Sequence, residues 1–302
     1  MNHKEFLGSL PTQTRQALLQ KSDRAGLLHL VGHWGAIILV GGLIALEVPY
    51  WGLLLPIQGV LLIFNFTLLH ECTHKTPFKT GWLNEVVGWI TGFVVGLPFL
   101  WFRYFHLAHH KHTNDPKNDP ELVGHPKPDS WGRYVWHVSG LPVWAAQIRG
   151  LIRIASGRDQ GWFIPKSARI RVRVESIIIV IFYVVTILYS LTISTMVIKV
   201  WIIPAILGQP FLRLYLLAEH GRCPQVADML QNSRTVFTNW AVKFVAWNMP
   251  FHAEHHKYPS VPFWRLPALH SLMQDHLKTT ETGYARFHST YVTQLSKVGK
   301  FD

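Results

Sequence analysis

Charge is what this sequence has least of. Asp, Glu, Lys and Arg make up 15% of its 302 residues, against about a quarter in soluble domains. Acids are the scarcer sign, 17 against 29 Lys plus Arg, which leaves a formal net charge of +12. With 49% apolar residues, the chain is not intrinsically disordered, since disorder needs low hydrophobicity and high charge. Cysteine is rare: Cys72 and Cys223 alone rule out a disulfide scaffold. No internal repeat or low-complexity tract is present. The excesses are 13 Trp and 18 His.

The uncharged residues are bunched. Ser176 to Ile198 carries no charge, and at about 1.5 Å per residue it spans roughly 35 Å as a helix, enough to cross a bilayer. Trp51 to Leu69 is also uncharged, and Leu27 to Val48 has one acid, Glu47, at its far end. Val200 to Ala218 is broken only by Arg213. Four membrane spans are expected, near 27–48, 51–70, 176–197 and 200–219. They form two hairpins with tips at Val48–Tyr50 and Lys199. Buried helices of a large soluble protein would not need uncharged runs of this length. The polar first 26 residues, with Lys4, Arg15, Lys21 and Arg24, do not read as a cleavable signal peptide, so the first span is expected to be the insertion signal.

Lys and Arg set the orientation. They crowd the N-terminal segment, the stretch from Lys75 to Arg173 and the tail after His220, whereas Lys199 is the one cation at the two hairpin tips. Both termini and the middle segment are therefore expected in the cytoplasm. The cap comprises 71–175 and 220–302, within one domain covering 1–302. Positive-inside topology and anionic headgroups account for the charge without nucleic acid. Trp82 to Phe102 is apolar enough for a fifth span, but Gly88, Gly92, Gly96 and Pro98 make it a poor straight helix. It is expected to be re-entrant or interfacial. Tyr134 to Ile154 is a second interfacial candidate. Trp82, Trp89, Trp101, Trp131, Trp136, Trp144, Trp247 and Trp264 are expected to form an interfacial belt.

Histidine carries the chemistry. His70 and His74 lie in HECTH, spaced to share one helix face. His106, His109 and His110 form HLAHH, followed by His112. His252, His255 and His256 form HAEHH, and His220 closes the fourth span. Two HxxHH motifs are a poor product of chance. Two spans separate them, so all three boxes and His220 meet at one membrane face. Converging imidazoles mean a transition metal. Nine ligands exceed one ion and suit two, each with four or five nitrogens. His29 and His33 read as interfacial or packing residues, and His112 as an outer or solvated one. HECTH also satisfies the H-E-x-x-H pattern of zinc proteases, with Glu71 as base, but that reading leaves at least six clustered histidines idle. A metal transporter would place its ligands at mid-bilayer; here they gather at the cytoplasmic ends of apolar spans.

HECTH, HLAHH followed by HTNDPKNDPE, and NMPFHAEHHKYPSVP resemble the three histidine boxes of the membrane fatty acid desaturase and hydroxylase superfamily. The resemblance covers His70 to about Leu269. It implies an all-α integral membrane fold with four transmembrane helices and a cytoplasmic histidine-rich helical cap. It implies two iron ions held by His70, His74, His106, His109, His110, His252, His255 and His256, with His220 matching an additional ligand. The implied activity is O2-dependent desaturation of a fatty acyl or related lipid chain, or hydroxylation of a lipid, alkane or carotenoid. The electrons would come from an external ferredoxin, rubredoxin or cytochrome b5, since the chain shows no room for a fused cytochrome b5 domain. Three residues between the first-box histidines resemble acyl-lipid desaturases and alkane or carotenoid hydroxylases more than animal acyl-CoA desaturases. Glu71, Asp115, Asp119, Glu121, Glu219 and Glu254 are candidates to orient the imidazoles. Asp115 and Asp119 have turn formation as an alternative role, and Glu71 and Glu254 have solvent exposure. Asn248 is a candidate to hold a metal-bound water.

Overall fold

The computed structural model describes residues 3–123, 126–158 and 161–295. These are mostly helical, joined by loops, with two short parallel strands, β1 (Thr235–Val236) and β2 (Thr280–Glu281). Helices α1 (His3–Ser9) and α2 (Thr12–Leu18) lead into α3 (Asp23–Ala45), whose N-cap Ser22 accepts the Ala25 N–H at 3.3 Å. The second span is α4 (Leu54–Ile63) continued by α5 (Asn65–His74). At their junction the Asn65 amide donates to the Leu61 and Leu62 carbonyls at 3.1 and 3.0 Å, which keeps an apolar-depth irregularity satisfied from within. Next come α6 (Gly81–Val95), α7 (Phe99–His112), α8 (Trp131–Val138), α9 (Leu141–Ala155), α10 (Arg169–Thr192) and α11 (Ile203–His220). The tail adds α12 (Met229–Asn232), α13 (Trp240–Val245), α14 (His252–Lys257), α15 (Leu266–Met273) and α16 (Tyr284–Thr293).

Four helical stretches are long and apolar enough to cross a membrane: Thr12–Ala45, Trp51–His74, Lys166–Thr192 and Ile198–His220. The expected ends shift. The third span begins before 176 and stops before 197, because Arg169, Arg171, Arg173 and Glu175 are good helix formers and extend the helix past its apolar run. Its connection to the fourth span is 193–197, and Lys199 lies in the π-helical turn that opens the fourth span rather than at the tip. The first span ends at Ala45 rather than 48, shortly before Glu47 adopts a left-handed backbone. Lys199 forms an ion pair with Glu47 and lies over the Trp51 ring, 5.1 Å from its centroid.

The second and fourth spans cross at backbone contact. A Cβ added at Gly59 would sit 2.2 Å from the Pro204 carbonyl oxygen, and one at Gly208 2.2 Å from the Gly59 carbonyl oxygen. Small residues give helices in lipid this approach, and the gain is van der Waals contact. By contrast α10 exposes Ile177, Ile178, Ile181, Phe182, Val184, Val185, Ile187 and Leu188, a face suited to acyl chains. The segment Trp82–Phe102 does not make a straight span. Helices α6 and α7 meet at 98°, where Gly96 takes φ +72° and Pro98 starts the next helix. Helices α8 and α9 leave Trp131, Val135, Trp136, Leu141, Ile148 and Ile152 exposed.

The crossing generates a test. Gly59→Val should lower the free energy of unfolding in mixed detergent micelles by about 1–3 kcal/mol through overpacking. Gly52→Ala, with nothing within 4 Å of its Cβ position, should change little. Equal stability for the two variants would rule out the close crossing.

Candidate metal centre

Four helix ends bring the nine expected histidines together. Helix α5 carries His70 and His74 one turn apart, α7 carries His106, His109 and His110 in its last turns, and α11 ends on His220. Helix α14 is the third box itself. It is held by β1, where Val236 N–H donates to the Pro250 carbonyl at 3.0 Å and Thr235 bridges Phe251. Eight of the nine imidazoles are buried and His74 is half-buried.

The nitrogens form two groups. Those of His70, His74, His106, His110 and His255 lie within 4.8 Å of one another, and so do those of His109, His220 and His256. His252 joins the second group through its Nε2, 2.9 Å from His220 Nε2. Three more Nε2 pairs approach closely: His74 with His106 at 2.9 Å, His106 with His110 at 2.9 Å, and His109 with His220 at 3.2 Å. Both ring nitrogens of His70 and His255, and Nε2 of His256, are buried with no hydrogen-bond partner. Buried polar atoms are otherwise paired. Converging lone pairs without donors are what a metal cation satisfies, so the donor set fits transition-metal binding.

The outward nitrogens carry the complementary half of the arrangement. His109 Nδ1 donates to Asp119 at 2.9 Å, and His220 Nδ1 donates to the Asn232 carbonyl at 3.0 Å. His256 Nδ1 lies 3.2 Å from Thr113 Oγ1, His252 Nδ1 3.3 Å from Glu219, and His255 Nδ1 3.6 Å from Glu71. At His109 and His220 the acceptor at Nδ1 fixes the tautomer that turns Nε2 inward. In the cap, burial first and neighbouring imidazoles second hold His252, His255 and His256 well below the usual histidine range. They are neutral at physiological pH, the form that binds metal. Burial pulls Asp119 upward, but the His109 hydrogen bond and charge outweigh it, so its pKa lies below the usual carboxylate range.

The six candidate orienting acids take different places. Asp119 is buried against His109, whereas Asp115 makes a turn, accepting Lys117 N–H at 2.9 Å and the Asn118 amide at 2.7 Å. Glu121 is half-buried, 3.9 Å from His109. Glu71 and Glu254 do not face solvent. Glu71 accepts the Thr76 hydroxyl at 2.6 Å, and Glu254 is held by Thr235 and His270. A fully buried Glu71 tied to Thr76 is poorly placed as the base of a zinc protease. His270 and Thr235 escaped the sequence reading because neither belongs to a box or a recognisable spacing.

Outlying candidates also find positions. His29 and His33 are packing residues, bonded to the Phe244 and Leu61 carbonyls at 2.8 and 2.9 Å. His112 stands outside both groups, with its ring 6.0 Å from Trp162. Asn248 donates its amide to the Phe263 carbonyl at 3.1 Å. Trp247 is no belt residue: it is fully buried and donates to His33 Nδ1 at 3.1 Å. Trp82, Trp131 and Trp136 are exposed.

The contrast between the two aspartates is testable. Asp119→Asn should weaken metal retention about 10–100-fold in chelator competition on the purified protein. Asp115→Asn should leave it unchanged. Equal retention in both variants would remove Asp119 from the site.

The comparisons with known proteins converge on one family. Residues 48–288 match the fatty acid desaturase family. The chain is 25% identical over 308 residues to the sn-1 oleoyl-lipid 12-desaturase of Anabaena variabilis, covering 90% of this chain and 81% of that protein. It is 25% identical to the dihydrorhizobitoxine desaturase of Bradyrhizobium elkanii, covering 85% and 76%. It is also 25% identical, over 119 residues, to the sn-1 acyl-lipid omega-3 desaturase (ferredoxin) of Nostoc sp., covering 37% and 32%. Together with the apolar spans and the histidine groups, these matches establish that the chain belongs to the fatty acid desaturase family and is an integral membrane oxidoreductase.

Proposed function

We propose that the protein is a diiron, O2-dependent desaturase of a fatty acyl chain carried on a membrane lipid. The observation that carries this reading is the pair of buried imidazole groups at the ends of apolar spans. In it, His70, His74, His106, His110 and His255 hold one iron, and His109, His220, His252 and His256 hold the other. Bound iron supplies O2 activation and hydrogen removal from an unactivated C–H bond. Burial holds the cap imidazoles His252, His255 and His256 neutral, and Asp119 and the Asn232 carbonyl aim His109 and His220 through their outward nitrogens. The buried setting keeps bulk water from the reacting carbon. The balanced reaction removes two hydrogens from adjacent carbons and turns O2 into two waters with two electrons and two protons from outside.

The relatives named as lipid desaturases favour a double bond over an alcohol and a lipid-linked chain over a free one. The relative whose name includes ferredoxin favours that donor over rubredoxin or cytochrome b5. The spans form two hairpins under a cap that, with the spans extended to His74, from Lys166 and to His220, comprises 75–165 and the tail from 221 rather than 71–175 and 220–302; the Lys and Arg distribution favours both termini and the metal centre in the cytoplasm. The whole chain, 1–302, acts as one domain.

Elemental analysis of protein purified under reducing conditions without chelator is expected to find about two irons per chain, the imidazole count being too high for one ion. His109→Ala and His255→Ala should each lose iron and abolish O2- and reductant-dependent formation of unsaturated acyl chains in proteoliposomes, while membrane insertion persists. About one zinc and no iron, unchanged in His109→Ala, would overturn the reading. Hydroxylated acyl chains in place of unsaturated ones would move the activity to the hydroxylase branch.

A further inference from the structure

The break between α6 and α7 leaves backbone groups open within an apolar segment. Pro98 precedes α7 and offers no side-chain cap, so the Phe99 and Leu100 N–H groups have no acceptor in their own helix. On the other side, the Phe93 carbonyl receives only a long 3.4 Å bond from Gly96 N–H. Such groups must be satisfied by the surrounding protein, because lipid offers nothing.

Three side chains from the third and fourth spans do this. The Glu175 carboxylate accepts Phe99 N–H at 2.6 Å and Leu100 N–H at 2.9 Å. The Tyr183 hydroxyl donates to the Phe93 carbonyl at 2.7 Å. The Trp201 indole N–H donates to the Val94 carbonyl at 3.0 Å, and its ring lies 5.5 Å from that of Tyr183. Glu175 and Tyr183 lie about two turns apart on one face of α10, roughly 12 Å of helix, and bracket the break. Glu175 is 1% exposed. An unpartnered carboxyl group there would be costly, but two backbone N–H bonds and the positive end of the α7 dipole offset that cost.

The helix capped in this way carries the second histidine box. His106 follows Phe99 by about two turns, so a tilt of the α7 N-terminus displaces His106, His109 and His110 as a rigid unit. We propose that Glu175 is a positioning residue for the metal centre. With Tyr183 and Trp201 it clamps the α6–α7 break to the third and fourth spans and sets the axis of the helix that presents these three imidazoles. This rests on the reading of those histidines as metal ligands. In the sequence Glu175 appears only as the last charge before an uncharged run; its partners lie some 75 residues away.

Cobalt(II) serves as the probe, titrated into the metal-stripped full-length protein in micelles. Its affinity and visible absorption both report ligand geometry. Glu175→Leu is expected to weaken cobalt binding about tenfold or more and to change the absorption spectrum. Glu175→Gln, which can accept one of the two N–H bonds, should recover part of both. Tyr183→Phe should shift both in the same direction by less. A lowered thermal midpoint with unchanged affinity and spectrum in the folded fraction would reduce Glu175 to a stability residue and overturn the proposal. Should Glu175→Leu fail to fold, unchanged affinity and spectrum in both Glu175→Gln and Tyr183→Phe would overturn it equally. Undiminished cobalt binding in His106→Ala would instead refute the ligand reading, so the two failures are distinguishable.

Discussion

Neutral imidazoles buried with their Nε2 atoms facing one another are the constraint on which the rest of this structure depends. An imidazole nitrogen in a protein interior needs a donor or a cation, and the four Nε2 pairs at 2.9–3.2 Å leave too few protons to satisfy every lone pair. Burial keeps protons off the rings, and so favours a metal over acid. Asp119, held below the usual carboxylate range by His109, adds negative charge at an outward nitrogen without occupying an inward coordination position. The centre is thus built with imidazole nitrogens facing inward and carboxyl or carbonyl oxygens on the outward side.

Holding such a centre at the edge of a bilayer imposes conditions on the membrane part. The imidazoles come from helices far apart in the chain, and each must arrive with a fixed axis. The backbone contact at Gly59 and Gly208 locks the second and fourth spans, which carry HECTH and His220. The α6–α7 break redirects the chain so that HLAHH approaches the same point, with its open backbone groups met by Glu175, Tyr183 and Trp201. Helix α14 has no span of its own and relies on β1 and on buried Glu254, which joins Thr235 to His270. The last two devices pair polar atoms that neither lipid nor water would satisfy.

The outer faces follow different rules. The α10 surface is aliphatic, as a helix long and apolar enough to span a bilayer requires, and α8 and α9 leave Trp and aliphatic side chains exposed. Trp247 shows that aromatic content alone does not mark that boundary. Its ring is enclosed by His29 and Phe263 and its N–H is spent on His33, so it is part of the core.

Membrane class, four apolar runs and three histidine boxes with His220 were all legible in the sequence, because each is a local property: an uncharged length, an i, i+4 spacing, a parity of crossings. Helix ends were read less well, since Arg169 to Glu175 continue a helix that hydropathy would stop. What the tertiary structure alone decided is which distant groups meet. It separated Asp119 from Asp115, buried Glu71 and Glu254, brought in His270, sorted nine histidines into two groups, and set Glu175 against the second-box helix. These outcomes depend on contacts between residues tens to hundreds of positions apart, and no local pattern encodes such distances.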